Sequence, residues 1–103
     1  RSCLMLAVQA DGGTIVTAAG LTALAGPPDA ENLTSLQLAF RAHHALQCGF
    51  CTPGILVATA LFLRANPHPT RAEIVDHLSG HLCRCTGYVP IVAAIEAAAG
   101  AAP

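Results

Sequence analysis

Residues 46–54 read LQCGFCTPG and residues 82–88 read LCRCTGY. Each stretch sets two cysteines close together among small and turn-forming residues: Cys48 and Cys51 in the first, Cys83 and Cys85 in the second. Thiols in this pattern can cross-link, hold a zinc ion or hold an iron–sulfur cluster. Cysteines two or three apart bridge locally only with strain, and nothing in the sequence reads as a secretory signal that would place the chain in an oxidising compartment. Structural zinc is a stronger rival, because tetrahedral sites of four thiolates draw on two short motifs of this kind. Zinc sites nevertheless favour two or more residues between paired ligands, and only Arg84 separates the second pair. A Rieske centre needs two histidines in place of two cysteines, and His81 lies before Cys83 rather than after it. A [2Fe-2S] centre with four thiolates, two per iron, completes the set. Spacing alone does not decide among them.

Charge favours the cluster. Ferric ions, sulfides and four thiolates leave an excess of negative charge, which reduction increases, and donors that cost no side chain suit it best. Gly49 and Gly87 allow close backbone approach with N–H groups aimed at sulfur, and a helix opening at Pro53 adds the positive end of its dipole. Both glycines read equally well as ordinary turn residues. Arg84, between two candidate ligands, can offset charge or be a solvated or interface arginine. Gln47, beside Cys48, can offer its amide to a partner's cofactor or simply end a helix.

The elements that must position these loops follow from periodicity. Leu33, Leu36, Phe40 and His44 fall on one face of a helix over about residues 33–46. Thr52 as N-cap and Pro53 in the first helical position open a second helix that runs to about Ala65. Thr70 and Glu73 form a capping box for a third, which stops at Gly80, and a fourth starts at Pro90 with Ile91, Val92 and Ile95 inside it. Each cysteine loop therefore joins two helices, and four short helices in sequence pack naturally as an antiparallel bundle. The two halves form an approximate repeat that brings all four sulfurs to one end. Upstream, CLMLAV, ADGG and TIVTAAGL read as strand, turn and strand, and AGPPDAEN at 25–32 reads as a linker or boundary.

Composition limits the function classes. The 103 residues are 53% hydrophobic and only 11% charged, which predicts a surface that docks against another chain. Net charge is -1, with no basic run, no Trp and one Tyr, so the footprint of a nucleic-acid binder is missing. No apolar stretch reaches the roughly 18 to 20 residues of a membrane helix. A soluble, cytoplasmic protein is expected, associated with a membrane's inner face only through partners. His43, His44, His68, His77 and His81 show neither an HExxH pattern nor paired carboxylates, and core or surface roles are expected for them. No Ser, His, Asp constellation or phosphate loop is present, so no catalytic residue is assigned.

HHALQCGFCTPG, NPHPTRAEIVDHLSGHLCRCTGY and IVAAI together resemble the C-terminal, all-helical [2Fe-2S] domain of the molybdenum hydroxylases. That family includes xanthine dehydrogenase, aldehyde oxidoreductase and the small iron–sulfur subunits of bacterial carbon monoxide and nicotinate dehydrogenases. The resemblance covers about residues 33–97 and is carried by two specific motifs. It implies a mainly α fold, a pseudo-two-fold four-helix bundle over 28–103. A β remnant of a plant-type ferredoxin domain, with its linker, would occupy 1–27. It implies that Cys48, Cys51, Cys83 and Cys85 ligate the cluster, and that Gln47 and Cys85 approach a molybdopterin on a large partner subunit. Electrons would pass from that centre to a second [2Fe-2S] cluster and then to FAD on a flavin-binding subunit or to another acceptor. RSCLMLAVQADG resembles the last strand of the ferredoxin domain, and that match implies Cys3 as the fourth ligand of the second cluster. The other three ligands of that cluster are absent from the 103 residues and the chain begins with Arg1 rather than Met, so either it is part of a longer subunit, the reading the resemblance favours, or Cys3 is an ordinary buried thiol. Ala45 stands where the family often has Gly. A zinc-stabilised, four-cysteine interaction module without redox role is the alternative.

Overall fold

A computed structural model of the chain describes residues 2–100. Five α-helices follow three short 3-10 turns: α1 (Thr22–Ala25), α2 (Ser35–Ala42), α3 (Thr52–Ala65), α4 (Arg71–Leu78) and α5 (Tyr88–Gly100). The mainly α class expected from the sequence is what forms.

Among the described residues there is no β-strand. The upstream runs expected as paired strands instead make 3-10 turns at Ser2–Leu4, Ala7–Ala10 and Ala18–Gly20. A strand survives only when a neighbour takes up its backbone N–H and C=O groups, and the two runs do not pair with each other. The turn does form at ADGG, where Gly12 takes φ +71° and the Gly13 N–H donates to the Ala10 carbonyl at 3.0 Å.

α2 is shorter than its periodicity suggests. Its start is a capping box: the Thr34 hydroxyl accepts from the Gln37 N–H, and the Gln37 side chain accepts from the Thr34 N–H at 2.8 Å. It ends at Ala42 rather than near Leu46, because the chain closes in a Schellman motif. The Ala45 N–H reaches back to the Phe40 carbonyl at 2.8 Å, the His44 N–H to that of Arg41 at 3.2 Å, and His44 sits at φ +50°. Ala45 is buried beyond the reversal, which turns residues 46–49 toward the second cysteine loop.

The remaining boundaries move by a residue or two. α3 has Cys51 as its N-cap, with Thr52 and Pro53 inside the first turn. α4 begins at the expected box, with the Thr70 hydroxyl accepting from the Glu73 N–H and Glu73 from the Thr70 N–H at 2.7 Å. α5 begins at Tyr88, so Pro90 lies within the first turn, where its missing N–H would have had no intrahelical acceptor.

The core is aliphatic. α5 is its centre, burying Ile91, Val92, Ala94, Ile95, Ala98 and Ala99 against α2 and α4. α3 contributes Ile55, Leu56 and Ala60, and α1 packs on α3. Leu21, 2% exposed, belongs to the same core cluster, so the core continues across the proline-rich 25–32 stretch. The Arg71–Glu96 ion pair, 2.8 Å and exposed, ties α4 to α5 and contributes little to stability. No helix of the described residues is long and apolar enough to cross a membrane.

Candidate metal centre

Each cysteine loop lies between two helices: residues 43–51 between α2 and α3, and residues 79–87 between α4 and α5. Folding brings the loops together. Cys48 lies within side-chain hydrogen-bonding reach of Cys85, and Cys51 within that of Cys83, so each sulfur of one loop meets a sulfur of the other. The Gln47 side-chain amide donates to the Cys85 carbonyl at 3.2 Å and joins the loops a third time. Burial grades across the set: Cys83 is buried, Cys51 and Cys85 are half-buried, and Cys48 is exposed.

Backbone amides favour charge at two of these sulfurs. The Gly87 N–H points at Cys83 Sγ from 3.4 Å, and with the amides of Cys85 and Thr86 it holds the Cys83 thiol below the usual thiol range despite burial. The Phe50 N–H, and then the Cys85 side chain, do the same for Cys48. Cys51 goes the other way, pushed up by burial first and by its hydrogen bond to Cys83 second. Two thiols are thus poised toward thiolate, one in each loop.

Three backbone positions create this geometry. Gly49 adopts φ +80°, with open space where a Cβ would stand, so the requirement for glycine is conformational rather than steric. Thr86 adopts φ +55°, uncommon for a β-branched residue, and turns the chain so that the Gly87 N–H faces Cys83. At Gly87 an added Cβ would be 3.7 Å from both Cys83 Sγ and Gln47 Nε2, ordinary contact distances. The close approach expected there is made by the amide.

Two further side chains lie at this end of the molecule. Tyr88, at the start of α5, accepts the Cys83 N–H at 2.7 Å and donates to the His81 carbonyl at 3.0 Å. No role was expected for it; the signal available was a lone tyrosine directly after Gly87. The Thr52 hydroxyl, next in sequence to Cys51, is buried without a hydrogen-bond partner. An acceptor such as a sulfide would satisfy it.

The remaining predicted residues are placed elsewhere. Cys3 is exposed in the first 3-10 turn, not a buried core thiol, and Arg84 is solvated between Cys83 and Cys85. His77 stacks on Phe62 with ring centroids 4.4 Å apart, and His43, His44 and His68 are exposed. Among the described residues, no group of three or more His, Cys, Asp or Glu side chains is arranged to hold a metal ion. The thiols influence one another in pairs across the loops. Facing sulfurs, amides aimed at sulfur and an unsatisfied buried hydroxyl all fit a bound [2Fe-2S] cluster.

Comparison with known proteins agrees with that fit. Residues 13–96 match the family described as a [2Fe-2S] binding domain. The chain is 52% identical over 100 residues to the nicotine 6-hydroxylase small subunit of Paenarthrobacter nicotinovorans, covering 97% of this chain and 56% of that protein. It is 46% identical over 95 residues to the nicotinate dehydrogenase small FeS subunit of Eubacterium barkeri, covering 92% and 57%. The chain spans a little over half the length of these relatives. Among solved structures, quinoline 2-oxidoreductase from Pseudomonas putida 86 superposes with a TM-score of 0.84 at 51% identity, covering 98% of this chain and 60% of that one. Aldehyde oxidoreductase from Desulfovibrio gigas superposes with a TM-score of 0.85 at 36% identity, covering 97% and 11%. The family match spans most of the chain, and its two cysteine loops fold into one site: the chain belongs to the [2Fe-2S]-binding domain family, the iron–sulfur part of the molybdenum hydroxylases that those loops resemble.

Proposed function

We propose that this chain is the electron-transfer part of a molybdopterin-dependent hydroxylase or dehydrogenase. Cys48, Cys51, Cys83 and Cys85 would ligate one [2Fe-2S] cluster. The observation that carries the reading is the pairwise meeting of the two cysteine loops, with backbone N–H groups directed at Cys48 and Cys83. When bound, such a centre supplies one-electron transfer.

The chain's own residues do the positioning. Cys48 and Cys83, held toward thiolate, are the readiest donors to iron, and Cys51 and Cys85 complete one pair each. Sulfurs that influence each other in pairs across the loops suit two positions on one tetrahedral ion, so each iron would take one sulfur from each loop. Residues 46–52 and 82–88 occupy equivalent places in a helix, loop, helix repeat, which is the pseudo-two-fold arrangement of the proposal. Exposed Cys48 and Gln47 lie on the outer side of the site, and the half-buried Cys85 is joined to Gln47. We assign Gln47 and Cys85 to the approach of a molybdopterin on a large partner subunit.

Phe50, Leu82 and Val89, 93%, 81% and 73% exposed, flank the cysteines, and that apolar rim suits a partner's surface. The names of the relatives, a small subunit and a small FeS subunit, support a place in a larger complex. Onward transfer would run to a second [2Fe-2S] cluster, with Cys3 as one ligand, and then to FAD on a flavin-binding subunit or to another acceptor. Residues 1–27 would be the end of the ferredoxin-like β domain with its linker, seated on the helical unit of 28–103 through Leu21.

The test uses the complete complex purified without oxygen. Iron and labile sulfide in equal amounts, with an electron paramagnetic resonance signal on reduction, are expected. Stoichiometric zinc without iron or sulfide would overturn the reading in favour of a zinc-stabilised interaction module. Cys85→Ser should impair this cluster and stop turnover with the physiological acceptor, and unchanged turnover would count against the relay.

A further inference from the structure

Tyr88 is the chain's only tyrosine, and its hydroxyl is engaged twice within one short loop. It accepts the Cys83 N–H at 2.7 Å and donates to the His81 carbonyl at 3.0 Å. A phenol oxygen has one proton to give and lone pairs to receive, so both groups are satisfied by a single atom. The ring is half-buried and packs against the core, and it shares a small apolar cavity of about 250 Å³ with Val75, Leu78, Ser79, His81 and Val92. The staple therefore runs from the first turn of α5 back across residues 81–83.

We propose that Tyr88 is a positioning residue for the metal centre, pinning the backbone of residues 81–83 against water and so setting the cluster's reduction potential. The inference rests on the assignment of Cys48, Cys51, Cys83 and Cys85 as ligands. Amides that donate to cluster sulfur stabilise the added electron and raise the potential, and so does access of water. The Cys83 N–H belongs to a ligand residue but cannot bend back to its own sulfur. Tyr88 takes it, while Cys83 Sγ receives the Gly87 N–H at 3.4 Å. The hydroxyl thus keeps water from the backbone of a ligand residue.

Removing the hydroxyl lifts that protection. In Tyr88→Phe the Cys83 N–H and the His81 carbonyl lose their shared partner. A donor and an acceptor left unsatisfied beside the ligand take up water. Water there moves the potential upward. A tyrosine that served only as packing would give a less stable protein whose loaded cluster kept its potential, because the phenyl ring remains.

The experiment is a redox titration of the complete complex, wild type and Tyr88→Phe, followed by electron paramagnetic resonance. The signal that disappears in Cys85→Ser identifies the relevant cluster, and iron and labile sulfide are counted in parallel. An upward shift of that midpoint at full cluster content is expected. An unchanged or lowered midpoint at full content overturns the inference while leaving the ligand assignment intact. A wild-type complex without iron or sulfide removes both. If Tyr88→Phe does not retain iron, hydrogen exchange in the unsubstituted holo complex decides: a slowly exchanging Cys83 amide supports the staple, and exchange at the rate of an open loop overturns it.

Discussion

The side-chain amide of Gln47 donates to the backbone carbonyl of Cys85 across 3.2 Å, joining two loops 38 residues apart in sequence. It is a direct polar link between the cysteine loops that involves no sulfur. It leaves the ligands free for metal while fixing the separation of the pairs. Gln47→Leu keeps the four cysteines and removes the link. The expected outcome is a cluster that assembles in normal amount but is lost several-fold faster to an iron chelator, read from the decay of visible absorbance. An unchanged rate would show that the helices alone hold the loops in register.

Two glycines close in sequence should respond oppositely to alanine. Gly49 is at φ +80°, and Gly49→Ala should cost about 1 kcal/mol through backbone strain. Gly54 lies in the first turn of α3, exposed, with nothing within 4 Å of an added Cβ. Gly54→Ala should stabilise by roughly 0.4–1 kcal/mol, because alanine loses less backbone freedom on folding. Denaturant unfolding of both variants checks the pair, and equal signs would contradict the geometry.

His77 gives a dependence on pH. Burial first, and then the neighbouring His81, lower its pKa below the ordinary histidine value of 6.5, and the ring stacks on Phe62 beside the Thr59 hydroxyl. The folded state therefore prefers the neutral ring, while the unfolded chain takes up a proton at the ordinary value. Above that value the group contributes nothing pH-dependent. As pH falls through about 6.5 the unfolded state binds the proton first, and stability declines until the folded ring also titrates. Chemical unfolding between pH 5 and 7.5, at roughly this range around the histidine value, should show the decline in wild type and less of it in His77→Phe.

The core should be sensitive at α5. Ile95 has no exposed surface, and Ile95→Ala should cost about 2–5 kcal/mol. Thr34→Ala and Thr70→Ala each remove a capping box and should cost about 1 kcal/mol apiece. A thermal denaturation series ranks them, with the core variant lowest.

The second capping box and the four longer helices are legible in the sequence, because those signals are local. Thr70 and Glu73 need only each other, and the two cysteine motifs are each contained in a few consecutive residues. The early end of α2 was hidden, since His44 carries a left-handed backbone where glycine is usual, and a periodic apolar pattern runs past it. The Thr34–Gln37 box went unnoticed for the opposite reason: Gln37 reads as an ordinary helix residue until its amide is seen turned back. Strands were expected upstream because β-branched runs satisfy the local rule for a strand, but pairing is a long-range property and no partner strand forms among the described residues. Tyr88 carries no sequence signal of its own as a site residue beyond its place after Gly87, although its hydroxyl reaches only to Cys83 and His81 in the loop just before it.

The graded burial of the four thiols also ranks them by how readily a reagent reaches each one. Cys83 is enclosed and receives the Gly87 amide, so the α4–α5 side is the guarded half of the site. Cys48 is exposed beside the left-handed turn at Gly49, so the α2–α3 side is the open half. A thiol reagent would meet Cys48 first and Cys83 last.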